Sequence, residues 1–341
     1  MKKYLKSKKL AVLILLAVLL FSVGLKLIFF NTSYSADSDT GFYQSEYMTY
    51  DNGILKVKSP NAKSVDVFDL KNNVSKNTVY PKTSLDNNNY YIYNNRIVYK
   101  SSWILYVSDI DGNNKKILSE IFSKLEFYEQ YAIYYEVDGN LVFYNIETDT
   151  KTTVYCGFED KKLCMFCDND KIYLIEEWLI EYVIKIFDIP TQEKLGDFTI
   201  RKKDTEESFG YIPYGDKLIL NDTESGYYFY DFDGNFEEFK EITGVPFIIE
   251  PDFINGDYLY VAGTYKLEHV LFDVVVDYEH NGVYQYNYMN HDYRKLSDKC
   301  NFHDIIATDN YVYCYRINYF FPGNFLKLNF VTGYDLVQIP I

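Results

Sequence analysis

The sequence LYVSDIDGNNKKIL occupies residues 105–118, and YYFYDFDGNFEEF occupies residues 227–239. Each stretch begins with an apolar and aromatic run, reaches an Asp at position 109 or 231, and continues into Asp-Gly-Asn. A run of this kind before an Asp-Gly turn is typical of a β-strand entering a hairpin, because Gly tolerates positive φ. The two stretches therefore predict hairpins of the same type.

The Asp or Asn that ends such a run, called the anchor here, recurs along the chain. Successive anchors are 40, 36, 43, 43, 56 and 42 residues apart. One blade of a β-propeller takes roughly 40–50 residues, so the spacing predicts blades. The gap of 56 residues predicts an insertion within residues 262–283. The anchors are Asp69, Asp109, Asn145, Asp188, Asp231, Asn287 and Asn329.

A second strand is predicted before the anchors, each time after a polar turn, as at residues 170–174, 215–220, 256–261 and 309–313. The 37 Tyr and 25 Phe residues also favour strands. We therefore predict an all-β propeller of about seven four-stranded blades, with six or eight as alternatives. Closure of the ring is predicted to pair residues 53–58 with residues 336–341.

The N-terminus carries a predicted export signal. Five lysines lie within residues 2–9, and residues 10–25 contain no charge. Together with residues 27–30, this apolar run approaches the roughly 20 residues of a membrane-spanning helix. We predict one transmembrane signal anchor at residues 10–30, with a signal peptide cleaved near residues 33–35 as the alternative.

This interpretation divides the chain into four parts. They are a cytoplasmic tail at residues 1–9, the anchor at residues 10–30, a linker at residues 31–49 and the propeller at residues 50–341. The predicted location is the cell membrane, with a single pass and the C-terminal domain outside the cytoplasm. Cleavage of the signal would instead release a secreted protein.

Charge limits the possible partners. The chain has a formal net charge of -15, and without the six lysines of residues 1–30 it has 28 basic residues against 49 acidic ones, a charge of -21. Such a surface repels the phosphates of nucleic acids, so a nucleic-acid partner is not expected.

Three short motifs invite a chemical interpretation. DIDG at residues 109–112 and DFDG at residues 231–234 lack the spaced glutamate of a calcium loop, so they predict hairpin turns. CMFC at residues 164–167 has neither the second matched pair that zinc needs nor a βαβ context for redox chemistry. We expect buried free cysteines, with a bridge between Cys300 and Cys314 as the alternative.

The four histidines lie late in the chain, and the insertion beside them could carry a site. Their spacing matches no metal-ligand pattern, and no G-x-S-x-G, P-loop or H-E-x-x-H motif occurs. We assign no catalytic, cofactor-binding or metal-binding residue, and we do not favour an enzyme. The histidines are His269, His280, His291 and His303.

The strings at residues 105–118 and 227–239 resemble blade strands of TolB-like and YWTD-like propellers, which include exported bacterial proteins. This resemblance implies the fold, since propellers host many unrelated activities. We expect a membrane-anchored, extracytoplasmic binding or scaffold module for a protein or glycan. The alternative is an extracellular hydrolase or lyase that acts on glycans with carboxylates in the central funnel.

Overall fold

The computed structural model describes residues 34–61, 63–72, 75–82, 90–159, 163–168, 170–202, 210–222, 226–241, 253–262, 267–270, 273–276, 282–287, 289–298, 302–319 and 331–341. Residues 36–341 form one compact unit and residues 1–35 another. The predicted tail and anchor lie outside the described residues. Among the residues that are described, no helix is long and apolar enough to span a membrane.

The first three sheets are blades 1, 2 and 3 of a propeller, and their strands are antiparallel and adjacent in chain order. Blade 1 contains β1 (Phe42–Gln44), β2 (Met48–Asp51), β3 (Ile54–Lys58), β4 (Val65–Asp69) and β5 (Ser75–Val79). Blade 2 contains β6 (Tyr90–Tyr93), β7 (Arg96–Ser101), β8 (Ile104–Asp109) and β9 (Lys116–Ser119). Blade 3 contains β10 (Phe122–Tyr128), β11 (Tyr131–Glu136), β12 (Asn140–Asn145) and β13 (Thr150–Tyr155).

Four further sheets complete the ring. Blade 4 contains β14 (Leu163–Asp168), β15 (Lys171–Glu177), β16 (Glu181–Asp188) and β17 (Lys194–Arg201). Blade 5 contains β18 (Gly210–Tyr214), β19 (Lys217–Asp222), β20 (Gly226–Asp231) and β21 (Phe236–Glu241). Blade 6 contains β22 (Phe253–Asn255), β23 (Tyr258–Ala262), β26 (Val283–Asn287) and β27 (Tyr293–Ser297), and blade 7 contains β28 (Asp304–Ala307), β29 (Tyr311–Tyr319) and β30 (Val331–Pro340).

The seven-bladed all-β propeller is thus confirmed, and among the described residues blades 2 to 6 have the predicted four strands, whereas the sheet of blade 1 has five and that of blade 7 has three. A separate two-stranded hairpin, β24 (Leu267–Val270) and β25 (Asp273–Val276), lies in the chain between β23 and β26. It falls inside residues 262–283, where the long gap between anchors predicted an insertion.

Tyrosine is prominent among the buried side chains of the blades. Apolar clusters join neighbouring blades, such as the one that packs Ile133 and Phe143 of blade 3 against Ile172 and Leu174 of blade 4. Tyr suits buried positions because its ring buries apolar area while its hydroxyl can hydrogen-bond, as the Tyr134 hydroxyl does to the carbonyl of Leu118. The largest fully buried side chains among the described residues are all tyrosines, namely Tyr50, Tyr90, Tyr134, Tyr135, Tyr144, Tyr173, Tyr182, Tyr227, Tyr286, Tyr313 and Tyr315.

The anchors have a physical role in six blades. Counted from β2 in blade 1, each ends the third strand of its blade, and its side chain accepts amide hydrogen bonds from the following turn, as Asn145 does from Glu147 and Thr148. In blades 1 to 4 the next residue donates its backbone N–H to the turn between the first two of these strands, as Ile146 does to Gln130 over 2.7 Å. The repeated motif therefore encodes a turn that fastens the third strand to the first.

The seventh predicted anchor, Asn329, does not occupy the anchor position of blade 7. Asn329 lies outside the described residues, and the third strand of blade 7 begins after it, at Val331. The residue equivalent to Ile146 is Ile341, whose N–H donates to Asn310 over 2.9 Å. Pro340 therefore occupies the anchor position, and because Pro is neither Asp nor Asn the pattern could not be recognised there.

The predicted closure of the ring is wrong. Strand β3 pairs with β2 and β4, and β30 pairs with β29, so residues 53–58 do not pair with residues 336–341. Strand β1 and the first half of β2 lie before residue 50, within the predicted linker. Asp37 and Asp39, which also lie there, are buried and hydrogen-bonded.

Candidate functional site

The centre of the ring holds the chain's own first strand. The ring of Phe42 lies 5.1 Å from that of Tyr128 on blade 3 and 6.4 Å from that of Tyr91 on blade 2. The neighbouring Tyr43 ring lies 6.1 Å from that of Phe253 on blade 6. All three partners belong to the innermost strands of their blades, so β1 lies across the central channel.

Asp37 fastens this N-terminal segment to blade 7. Its carboxylate accepts hydrogen bonds from the Thr308 hydroxyl at 2.9 Å, the Asn310 amide at 2.9 Å and the Tyr313 hydroxyl at 2.8 Å. Burial, followed by the charge of Asp37, raises the pKa of Tyr313 well above its usual range, so the phenol stays protonated as a donor. The backbone N–H of Asp37 donates to Leu70 of blade 1, which links the two ends of the ring.

Asp39 adds a second set of contacts between the same two blades. It accepts hydrogen bonds from the Gly41 N–H at 2.6 Å, the Asp309 N–H at 2.7 Å and the Tyr43 hydroxyl at 3.2 Å. Its backbone carbonyl accepts the Tyr50 hydroxyl at 3.0 Å. The segment is therefore joined to blade 7 by side-chain hydrogen bonds, whereas its strand β1 pairs with β2 in the sheet of blade 1.

A third carboxylate, Asp304, holds the turn between β1 and β2. It accepts the Ser45 hydroxyl and the Tyr47 N–H, both at 2.7 Å. Burial raises its pKa to about 6, and the same effect lowers the pKa of nearby Lys58 to about 8. We call this region, with Asp37, Asp39 and Asp304, the seam.

The seam bears directly on the alternative function. A glycoside hydrolase needs two carboxyl groups that face a bound sugar, about 5–10 Å apart. Asp37 and Asp39 accept hydrogen bonds from the protein itself, and Phe42 lies across the channel. Asp37, Asp39 and Phe42 thus make structural contacts at the centre of the ring.

The two Asp-x-Asp-Gly motifs form turns, as predicted. Asp109 accepts the Asn114 amide at 2.7 Å, and Asp231 accepts the Asn235 N–H at 2.8 Å, while Gly112 and Gly234 adopt φ of 85° and 82°. The described residues contain no group of three or more His, Cys, Asp or Glu side chains arranged to hold a metal.

The cysteine and histidine candidates are dispersed. Cys164 and Cys167 are free thiols three positions apart on β14, so their side chains point to opposite faces of the sheet. His291 hydrogen-bonds through Nδ1 to Tyr286, whereas His303 accepts the Ile317 N–H, on a different blade. Cys300 and His280 lie outside the described residues, and the side chain of His269 is not described.

The two faces of the ring carry different turns. Because the strands of a blade alternate in direction, turns joining the first strand to the second and the third to the fourth share one face, called the upper face here. Turns joining the second strand to the third lie on the opposite, lower face. The polar turns at Asn94, Glu129 and Asp170 belong to the upper face.

The lower face of blades 2, 3 and 4 exposes large apolar side chains. Trp103 is 76% exposed and Leu179 is 73% exposed, although both are among the most hydrophobic residue types. Other large apolar side chains that are exposed lie mostly on outermost strands, such as Leu195 and Phe236. We call the set on the lower face the apolar stripe, and it comprises Trp103, Ile121, Val137, Tyr155, Leu179 and Ile180.

Contacts are made by residues that lie beside members of the apolar stripe. The ammonium group of Lys100 lies 5.2 Å from the Trp103 ring and 5.5 Å from the ring of Phe122, the residue after Ile121. The Tyr155 ring lies against Gly139, in the same turn as Val137.

Two hydrogen bonds connect the segment that follows Tyr155 to blade 4. The N–H of Glu159, four residues after Tyr155, donates to the carboxylate of Glu176. That carboxylate also accepts the indole N–H of Trp178, which precedes Leu179. The stripe therefore runs along three neighbouring blades.

The equivalent turn of blade 1 is polar. In residues 59–64, the Ser59 hydroxyl donates to Asn61, and both side chains accept the Lys63 N–H. The turn of blade 3 instead presents Val137, and that of blade 4 presents Leu179. The apolar stripe is therefore a property of particular blades and not of the propeller fold.

The stripe was not predicted from the sequence. One signal was available, because WLI at residues 178–180 is an apolar run in a position where the repeat requires a turn. Turn residues are usually polar, so an apolar turn departs from the pattern of the repeat.

Comparison with known proteins identifies no family. No protein family and no curated protein matches the sequence. Similar solved structures include the computationally designed Ika8 protein, with 10% identity and a TM-score of 0.42 over 82% of this chain and 95% of that chain. The AfRom2 CNH domain has 11% identity and a TM-score of 0.39, over 68% of this chain and 79% of that chain. BamB from Moraxella catarrhalis has 10% identity and a TM-score of 0.39, over 83% of this chain and 90% of that chain.

These similarities are too distant to carry an argument about function. Membership of the TolB-like or YWTD-like propellers stays a prediction from residues 105–118 and 227–239. The seven-bladed architecture rests on the chain's own sheets.

Proposed function

We propose that this chain is a membrane-anchored, extracytoplasmic scaffold that binds a protein partner through the apolar stripe. The carrying observation is the exposure of six large apolar side chains on one face of three neighbouring blades. Contiguous exposed apolar surface favours protein association, because burying it removes apolar area from water at about 25 cal/mol per Å². The basic and apolar N-terminus, residues 1–30, supports the membrane location.

A protein partner fits the stripe better than a glycan. Four of its members, Ile121, Val137, Leu179 and Ile180, are aliphatic, and aliphatic side chains pack into protein interfaces. A glycan would use the flat rings of Trp103 and Tyr155 together with directional polar groups. The glycan is the outcome to expect if only the two aromatic residues prove necessary.

Site-specific photo-crosslinking in the native cells tests the proposed interface. We place a photo-reactive residue at Val137 or Leu179 in the full-length protein, and at Leu195 as the control, since it is exposed on an outermost strand. We expect one protein adduct from the two stripe positions and none from Leu195. The same adducts from all three positions, or none from the stripe, would contradict the proposal.

The location needs its own measurement. Protease added to intact cells should cleave an extracytoplasmic propeller and leave cytoplasmic proteins whole. Full protection of the propeller in intact cells, with cleavage after lysis, would place it on the other side of the membrane. That result would remove the location without removing the protein interface.

A further inference from the structure

The backbone segments that carry the apolar stripe also carry charge of one sign. These segments are residues 101–103, 119–121, 136–139, 155–159 and 176–181, and they contain no Lys or Arg. A segment exposed to water ordinarily mixes charges, so this bias distinguishes these five segments, and the fourth of them is followed in the sequence by Asp160, Lys161 and Lys162. The seven acidic residues are Glu120, Glu136, Asp138, Glu159, Glu176, Glu177 and Glu181.

Some of these carboxylates have basic partners from elsewhere in the chain. Glu177 bonds to Lys202, and Glu136 lies 3.5 Å from Lys151. Lys100 lies over the Trp103 ring at the edge of the stripe. These contacts neutralise part of the charge and leave an acidic excess.

Two carboxylates are exposed directly beside apolar members of the stripe. Glu120 precedes Ile121, and Asp138 follows Val137, and all four residues are exposed. A partner that covers Ile121 and Val137 must therefore also approach two negative charges. Like charges brought together across an interface are destabilising, whereas opposite charges speed association and set the orientation.

We propose that the occupant of the apolar stripe is a cationic amphipathic segment of another protein, with apolar side chains flanked by Lys or Arg. This inference rests on the proposed protein-binding function and adds the charge of the partner. A second copy of this chain fits less well, because it carries a net charge of -15 and would bring the same acidic turns. An anionic lipid surface is disfavoured for the same reason.

Tryptophan fluorescence can report on this surface. The sequence has two tryptophans, Trp103 in the stripe and Trp178 beside Leu179. Burial of an exposed indole shifts its fluorescence emission to shorter wavelength. Trp emission therefore reports on this face of the protein alone.

We titrate the full-length protein in phosphatidylcholine vesicles with a 12-residue peptide of alternating Lys and Leu. The matched probe is a peptide of alternating Glu and Leu. We expect a blue shift with the Lys-Leu peptide and a Kd about 10-fold lower than that of the Glu-Leu peptide. Addition of about 0.5 M NaCl should lower the affinity for the Lys-Leu peptide severalfold, because salt screens charges on the surface.

Two double variants separate charge from apolar contact. E120Q/D138N should lower the affinity for the Lys-Leu peptide about fivefold. D111N/D233N, which makes the same charge change on the upper face, should leave that affinity unchanged. I121S/L179S should weaken both peptides at least 10-fold by removing apolar contacts. Near-wild-type thermal unfolding of all three confirms that the ring is intact.

The possible failures are distinguishable. Equal affinity for both peptides without salt dependence would overturn the cationic partner and leave the protein-binding function in place. If neither peptide binds but Leu179 still gives a photo-crosslink, the cationic partner is overturned and the protein-binding function remains. Concentration-dependent dimers abolished by L179S, or stripe-dependent adhesion to anionic vesicles, would overturn it in favour of a second copy or a lipid surface.

Discussion

The seam and the apolar stripe use their side chains in opposite ways. At the seam, Asp37 and Asp39 are buried polar groups whose hydrogen bonds connect blade 1 to blade 7. In the stripe, Trp103 and Leu179 are apolar groups exposed to water. Buried polar groups with full sets of hydrogen bonds define a unique structure, whereas exposed apolar groups cost solubility and do not stabilise the ring. The first region therefore stabilises the fold, and the second is the surface for which we propose a binding role.

The same comparison separates the two functional hypotheses. The hydrolase hypothesis needs an accessible central funnel, and β1 lies there with Phe42 against two other blades. The scaffold hypothesis needs an exposed surface, and the lower face of blades 2, 3 and 4 provides one.

The largest expected effect is at the seam. Replacing Asp37 with Ala leaves Thr308, Asn310 and Tyr313 without their shared acceptor inside the protein. Unsatisfied buried donors cost about 1–3 kcal/mol each, with partial relaxation, so we expect a loss of about 3 kcal/mol in the free energy of unfolding. Urea denaturation followed by circular dichroism measures it.

D111A is the control for D37A, since Asp111 is an exposed turn residue that bonds Asn113. We expect its effect to stay within about 0.5 kcal/mol. Equal losses in the two variants would show that Asp37 does not lock the ring.

Much of the fold could be predicted because the anchor motif is local. Asp69, Asp109 and Asp188 each bond a turn within five residues, so the pattern that forms the turn is contiguous in the sequence. The closure could not be predicted in this way. Asp37 and Tyr313 are 276 residues apart, and Asp304 and Tyr47 are 257 residues apart, so no local pattern relates them.

The candidate site was less predictable than the fold. The Asp, Cys and His residues, whose chemistry is easily recognised in a sequence, are turn residues or dispersed side chains in the structure. Ile121 and Tyr155 look like ordinary strand residues in the sequence, and only the three-dimensional arrangement shows that they are exposed. Neighbouring blades bring such residues to one face from separate segments of the sequence.

A smaller effect is expected from pH at the seam. The pKa of Asp304 is raised from 3.8 to about 6 in the folded protein, so the folded state binds a proton more tightly than the unfolded state. Its contribution is therefore greatest below about pH 4 and is lost as pH rises towards 6. We expect the free energy of unfolding of the wild type, relative to D304N, to fall by about 1–2 kcal/mol between pH 4 and pH 6.5.

Chemical denaturation of both proteins at several pH values checks this dependence. In the opposite case, a difference that grows with pH would mean that the Ser45 and Tyr47 donors outweigh burial. Asp304 would then be a stabilising carboxylate like Asp37.

The smallest effect on stability is expected in the stripe, and it is the sharpest test of the comparison. Leu179 is 73% exposed, so L179S removes little buried area, and we expect a change within about 0.5 kcal/mol. Leu118 of blade 2 is the matched control because it is buried between blades, and L118S should cost about 3 kcal/mol. Thermal unfolding of the two variants makes the measurement. A large loss in L179S would show that the stripe supports the ring, whereas a negligible loss combined with a lost photo-crosslink assigns its apolar side chains to binding.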